Sequence, residues 1–205
     1  MPAALITGAS TGIGREFAYL CAHSGYDVLL TARSQSHLEE LAADVRQRTG
    51  HKAFPLPIDL ADPVSPRQLY KQVASLDVAV EVLINNAGFG LVGRFWELDE
   101  GEQMQMVQLN MGALTHLTRL FLPDFIARRR GYILNVASTA AFQPGPLMSV
   151  YYASKAYVVS FSEALHNEAR DHGVKITCLC PGPTTTEFDK RSAPPARSCS
   201  RKGKR

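Results

Sequence analysis

A run of small residues, Thr7-Gly8-Ala9-Ser10-Thr11-Gly12-Ile13-Gly14, follows directly on the apolar stretch Ala4-Leu5-Ile6 and leads into an amphipathic segment from Arg15 to His23. Three glycines between a strand and a helix leave few choices of fold. They let the backbone turn sharply and lie close against an anion such as a pyrophosphate, while the helix N-terminus offers it unsatisfied amides and a positive dipole. The loop therefore selects a sheet whose strands alternate with helices.

The rest of the chain repeats that alternation. Apolar runs stand at Val28-Leu29-Leu30, residues 53–58, Val82-Leu83-Ile84, residues 132–136 and residues 174–180, with segments of helical period between them. Six strands interleaved with helices imply an α/β, Rossmann-type doubly wound parallel sheet. The third run carries Pro55 and Pro57, which cannot donate ladder hydrogen bonds and so belong on an edge strand. That placement fits the order 3-2-1-4-5-6.

The helix after the second strand is expected to open on a capping box, Ser36-His37-Leu38-Glu39, and to bury Leu41, Ala42 and Val45. Between Gly101 and Leu122 run two apolar stripes, Met104-Val107-Met111-Leu114 and Met106-Leu109-Ala113-Leu117. One stripe can face the sheet. A neighbouring helix or a second subunit explains the other equally well, so 101–122 and 150–170 are the candidate surfaces of a homo-oligomer. Pro123 is expected to end or bend this helix, and Arg128-Arg129-Arg130 reads as a solvated helix end.

With 205 residues, 45% of them apolar, one catalytic and nucleotide-binding domain spanning 1–188 is expected. The net charge of +3 is misleading, because Lys190, Arg191, Arg197, Arg201, Lys202, Lys204 and Arg205 crowd the last residues against Asp189 alone. The globular part is acidic, and 189–205 reads as a basic, solvated, disordered tail in preference to a nucleic-acid contact. Cys21, Cys178, Cys180 and Cys199 form no Cys-x-x-Cys pair, which suits a reduced, cytoplasmic setting. The N-terminus lacks a secretory pattern and no apolar run reaches transmembrane length, so no membrane is expected. His51, His116 and His172 have no metal-ligand spacing, so no metal site is expected.

Two constellations carry chemistry. The second strand ends Thr31-Ala32-Arg33, where a carboxylate would favour a ribose 2′-hydroxyl. A guanidinium there, with Arg15 as a second charge, would instead welcome a 2′-phosphate, so NADP(H) is preferred over NAD(H). Farther on, Ser138 precedes Tyr151 and Lys155, an i, i+4 pair on one helix face. An ammonium beside a phenol is expected to pull the tyrosine down from about 10 toward the range of a general acid or base. Tyr152 lacks that spacing.

In family order, the glycine motif, Asn85-Asn86-Ala87-Gly88, Asn110, Ser138, Tyr151, Lys155 and Pro181-Gly182 resemble the short-chain dehydrogenase/reductase family over residues 3 to about 188. Asn85 to Gly90 and Pro181 to Phe188 most resemble bacterial broad-specificity, 3-oxoacyl and hydroxysteroid reductases. The resemblance implies that Tyr151 protonates a carbonyl oxygen during hydride delivery and that Ser138 polarises that carbonyl. Lys155 would bind the nicotinamide ribose and lower the tyrosine pKa, while Asn110 would hold a relay water. Gly8, Ser10, Thr11, Gly12, Ile13 and Gly14 would cradle the pyrophosphate. Asp59, Leu60, Asn86, Ala87 and Gly88 would lie along the adenosine, and Pro181, Gly182 and Thr186 at the nicotinamide.

Relatives continue beyond the Pro-Gly turn into a substrate lid and a seventh strand, which this sequence is expected to lack, leaving the sixth strand as an edge. Three functions follow. The first is an NADP-dependent oxidoreductase acting on a small-molecule carbonyl or secondary alcohol. The second is a truncated relative that binds NADP(H) with little turnover. The third is a non-catalytic cofactor sensor or nucleic-acid-binding protein using the tail.

Overall fold

The computed structural model describes residues 1–183; Thr186 and the basic tail lie outside them. Strands and helices alternate as β1 (Pro2–Thr7), α1 (Gly12–His23), β2 (Asp27–Ala32), α2 (Gln35–Thr49), β3 (Ala53–Pro57), α3 (Ser65–Ala74), β4 (Ala79–Asn85), α4 (Glu100–Val107), α5 (Leu114–Arg128), β5 (Gly131–Val136), α6 (Ser149–Ala169) and β6 (Val174–Leu179). All pairings are parallel, and the order is β3-β2-β1-β4-β5-β6. The proline-bearing strand stands at one edge, as its missing donors require.

Alternation along the strands builds two cores. Ala4, Ile6, Val28 and Leu30 pack beneath α1 and α2 with Ala18, Leu38, Leu41 and Val45. On the other face Leu5, Leu29, Leu83 and Ile133 meet Leu69 of α3 and Leu117, Phe121 and Phe125 of α5. Among the described residues β6 is the second edge, with Lys175, Thr177 and Leu179 exposed and Val174 and Ile176 buried.

Local details depart from the sequence expectations. The cap of α2 is Ser34, whose Oγ accepts from His37 N, so the helix begins before the Ser36 capping box. Pro123 sits inside α5, which continues to Arg128 because buried Phe121 and Phe125 hold both flanks of the proline. The arginine run is not merely solvated. Arg128 donates to Val80 O at 2.6 Å, Arg130 pairs with Glu81 at 2.9 Å, and Arg129 ends the helix at φ 51° while donating to Asp171 O.

Between α4 and α5 the chain winds one π-helical turn, Gln108–Ala113. Met106, before the turn, packs with Phe89, Leu91 and Tyr151, whereas Leu117, after it, joins the core under the sheet. Most of the second stripe is buried, while Met104 of the first is exposed.

Candidate active site

The site forms at the C-terminal ends of the strands, where an open α/β sheet receives its ligands. Gly8 adopts φ +66° and Gly12 φ +55°. A Cβ on Gly14 would lie 2.1 Å from Gly8 O, so only glycine lets α1 approach this closely. Thr11 caps α1 without a side-chain hydrogen bond, which leaves the first-turn amides to a ligand.

Thr7 and Asn86 lock this loop to the end of β4. Thr7 Oγ1 donates to Ile84 O and accepts from Asn86 N and Ala87 N, both at 2.9 Å. Asn86 Nδ2 donates to Thr7 O at 2.9 Å and to Gly8 O at 3.2 Å. The glycine loop and the Asn86 to Gly88 segment are therefore one backbone surface. Gly88 borders the catalytic candidates, since a Cβ there would lie 3.0 Å from Asn110 Oδ1 and 3.5 Å from Lys155 Nζ.

Ser138 follows β5 in an extended conformation, and its Oγ accepts from Ala140 N at 3.1 Å. Two backbone bonds flank it, Ala137 N to Leu179 O at 2.8 Å and Thr139 N to Pro181 O at 3.0 Å, so the Pro181-Gly182 turn is tied to the serine segment. Tyr151 and Lys155 lie one turn apart on α6, both buried, and the Tyr151 and Ser138 hydroxyls are hydrogen-bonded. Lys155 Nζ donates to Val136 O at 2.9 Å and lies 5.8 Å from the Tyr151 ring centroid.

The electrostatics reverse one expectation. Burial against Phe89, Leu91, Met106 and Ala140 pushes the Tyr151 phenol above 10, and the Ser138 hydrogen bond offsets only part of that. Lys155 does not pull it down, because burial lowers the amine itself to about 8.

Asn110 sits in the π turn with both amide hydrogens committed, to Phe89 O at 2.9 Å and Ser154 Oγ at 3.0 Å, while its Oδ1 accepts from Phe89 N at 3.1 Å. It clamps the loop after β4 to α6, and only acceptors remain for a water. Ser154, which donates to Tyr151 O at 2.7 Å, completes this clamp. No motif marks Ser154 in the sequence, and its place between Tyr151 and Lys155 is the one available signal.

Arg33 is exposed just past β2. Arg15 is turned elsewhere, donating to Tyr19 Oη, which donates in turn to Asp44. The structure thus places Arg15 toward Asp44 of α2, lining a recess of about 420 Å³ between α1 and α2. Asp59 is exposed and caps Ala61 N, whereas the Leu60 side chain is in the core, so only its backbone can face a ligand. Among the described residues no group of three or more His, Cys, Asp or Glu gathers, and no helix is long and apolar enough to cross a membrane.

The sequence model of the short chain dehydrogenase family matches residues 2–196. A very-long-chain 3-oxoacyl-CoA reductase of Phaeosphaeria nodorum is 39% identical over 94% of this chain and 58% of its own length. A 17-beta-hydroxysteroid dehydrogenase type 3 of Rattus norvegicus is 33% identical over 91% of this chain and 61% of its own length. The chain thus spans about three fifths of these curated relatives. Among solved structures, a short-chain dehydrogenase from Sphingobium yanoikuyae in complex with NADPH superposes with a TM-score of 0.89 at 34% identity, covering 94% of this chain and 75% of that one. One from Burkholderia phymatum in complex with NAD gives 0.86 at 29% identity, covering 93% and 68%. With sheet order, glycine loop and family match in agreement, the chain belongs to the short-chain dehydrogenase/reductase family of oxidoreductases.

Proposed function

We propose that this chain reduces apolar ketones with NADPH, and catalyses the reverse oxidation, with Tyr151 as the general acid and base. The observation that carries the reading is the buried Ser138–Tyr151 hydrogen bond beside a fixed Lys155. The residues present fit a nicotinamide dinucleotide: the glycine cradle and uncapped α1 suit a pyrophosphate, and the Asn86 to Gly88 surface runs from it to Lys155. When bound, that cofactor supplies the hydride.

Tyr151, protonated because burial raises its pKa, holds its proton at Oη for the carbonyl oxygen. Ser138 fixes the orientation of that hydroxyl and offers the carbonyl a second donor. Lys155 commits one of its three donors to Val136 O, leaving the others to a ribose. Asn110 holds the loop after β4 against α6, which keeps Gly88 and Lys155 in register. Arg33, exposed where no carboxylate stands, supports a preference for NADP(H).

Apolar bulk is supported by the rim. Phe142 and Leu147 stand on the segment between Ser138 and Tyr151, and Phe95 and Trp96 follow Gly93, whose N–H donates to Leu147 O; all four side chains are exposed. The relatives point the same way, including a bulky-bulky ketone specific alcohol dehydrogenase from Comamonas testosteroni with a TM-score of 0.85. We extend the proposal to a homo-oligomer through the 101–122 and 150–170 helices, where Met104 of the first apolar stripe is exposed. Cys21, Cys178 and Cys180, half-buried and unpaired, support a cytoplasmic setting.

The test is NADPH oxidation with ketones of graded bulk, from acetone to a 3-oxoacyl thioester and a steroid 17-ketone, beside NADPH binding by fluorescence. Catalytic efficiency is expected to rise with apolar bulk. Binding without turnover on any carbonyl would sink the catalytic reading and favour a form that only holds the cofactor.

A further inference from the structure

Cys178 and Cys180 stand two positions apart at the end of β6, and their Sγ atoms are 4.0 Å apart. Both are half-buried against Ala137 and Val158, on the side facing α6. The Lys155 amine lies within electrostatic reach of both thiols. Neither thiol takes part in the proton chemistry of Tyr151, and none of the family resemblance rests on them.

We propose that Cys178 and Cys180 form a two-thiol oxidation site for low-molecular-weight disulfides, closing to an intrachain disulfide that loosens the end of β6 from the Ser138 segment. In the first step the Cys180 thiolate attacks one sulfur of RSSR, forming a mixed disulfide and releasing one RS⁻, which leaves as RSH. In the second step the Cys178 thiolate attacks the Cys180 sulfur, forming the Cys178–Cys180 bond and releasing the second RSH. Two protein thiols are oxidised by two electrons and one RSSR is reduced to two RSH. Burial pushes the Cys178 thiol up to about 11, which keeps its thiolate scarce at neutral pH, so the second step is carried by the 4.0 Å proximity of the two sulfurs.

Geometry decides the consequence. Two residues of strand span about 6.6 Å, near the upper end of the roughly 4.4–6.8 Å range of Cα separations that a disulfide bridges. Closing the pair toward the commonest separation of about 5.5–6 Å draws the two Cα atoms together by up to about 1 Å and bends the chain at Leu179. The Leu179 carbonyl accepts from Ala137 N and the Pro181 carbonyl accepts from Thr139 N, and these two bonds flank Ser138. A loss of turnover on oxidation rests on the role proposed for Ser138, whereas the disulfide and the loosening do not.

The experiment treats the full chain with glutathione disulfide and analyses tryptic fragments. Cleavage after Lys175 and Lys190 yields a peptide, 176–190, that holds both thiols and excludes Cys21 and Cys199. The peptide is expected two hydrogens lighter, restored by dithiothreitol, and unshifted in Cys180→Ala. Amide exchange of Ala137 and Thr139, read by NMR, is expected to quicken about tenfold in the oxidised protein. A peptide with stable glutathione adducts or free thiols overturns the closure, and unchanged exchange overturns the loosening. Neither readout needs turnover, so inactivity toward every carbonyl would bear on the catalytic reading alone.

Discussion

Lys155 Nζ donates a 2.9 Å hydrogen bond to the carbonyl oxygen of Val136, so an amine carried by α6 is pinned to the end of β5 two residues before Ser138. The bond holds a buried ammonium at the cost of its solvation, and the amine falls to about 8 in consequence.

That depression makes stability depend on pH. A lysine at about 8 when folded and about 10.4 when unfolded binds fewer protons in the native state across that window, so stability rises as pH climbs from 8 to 10.4 and the burial penalty is present in full below 8. Lys155→Met is therefore expected to be more stable than the parent at pH 7, by at most about 3 kcal/mol, with the gap closing by pH 10. Thermal melts of both proteins across that range check it; a gap independent of pH refutes it.

The two titrations also separate in the rate profile. For ketone reduction, kcat/KM is expected to fall near pH 8 as Lys155 loses its charge, because the Tyr151 phenol titrates above 10. A profile flat to pH 10 would move the limb to Tyr151. Tyr151→Phe should lower turnover by about 10²–10⁴-fold while sparing NADPH binding by fluorescence, and retained turnover would remove the tyrosine from its role.

Arg33→Asp is expected to weaken NADPH relative to NADH by about 10–100-fold. Arg15→Ala should change the preference much less, since Arg15 is bonded to Tyr19. Titrations of both variants with both cofactors test this, and equal effects would restore Arg15 to the phosphate site.

Gly14→Ala places a methyl 2.1 Å from Gly8 O. Neither atom belongs to a flexible side chain, so α1 must move off the loop. A loss of about 3 kcal/mol or more in urea denaturation is expected, together with loss of NADPH binding.

Asn110→Ala removes three hydrogen bonds, to Phe89 N, Phe89 O and Ser154 Oγ. It should cost about 2–4 kcal/mol in urea, and Ser154→Ala less. An Asn110 variant of parental stability with impaired turnover would mean that the residue acts on the chemistry and not as a clamp.

Much of this was legible in the sequence because it depends on local chemistry. The glycine loop declares the first βα unit, Pro55 and Pro57 mark the outer strand, and the i, i+4 spacing puts Tyr151 and Lys155 on one face of α6. What escaped depends on residues far apart in the chain. Arg15 was drawn away by Asp44 on another helix, through Tyr19. Pro123 stays inside α5 because Phe121 and Phe125 are buried. The Tyr151 pKa rises because Phe89, Leu91 and Met106 arrive from other elements to dry it. Thr186 and the tail lie outside the described residues, so those expectations stand as sequence readings.

The π turn at Gln108–Ala113 acts as a phase slip between two helices that would otherwise be one. An extra residue in a single turn advances the helical angle by about 100°, so the stretch up to Met106 addresses the wall around Tyr151 while the stretch from Leu117 addresses the sheet. Deleting one residue there would let the helix run straight, swing Asn110 off the loop after β4 and leave one of the two surfaces unmatched. The angular setting of the catalytic wall is thus stored in a residue count.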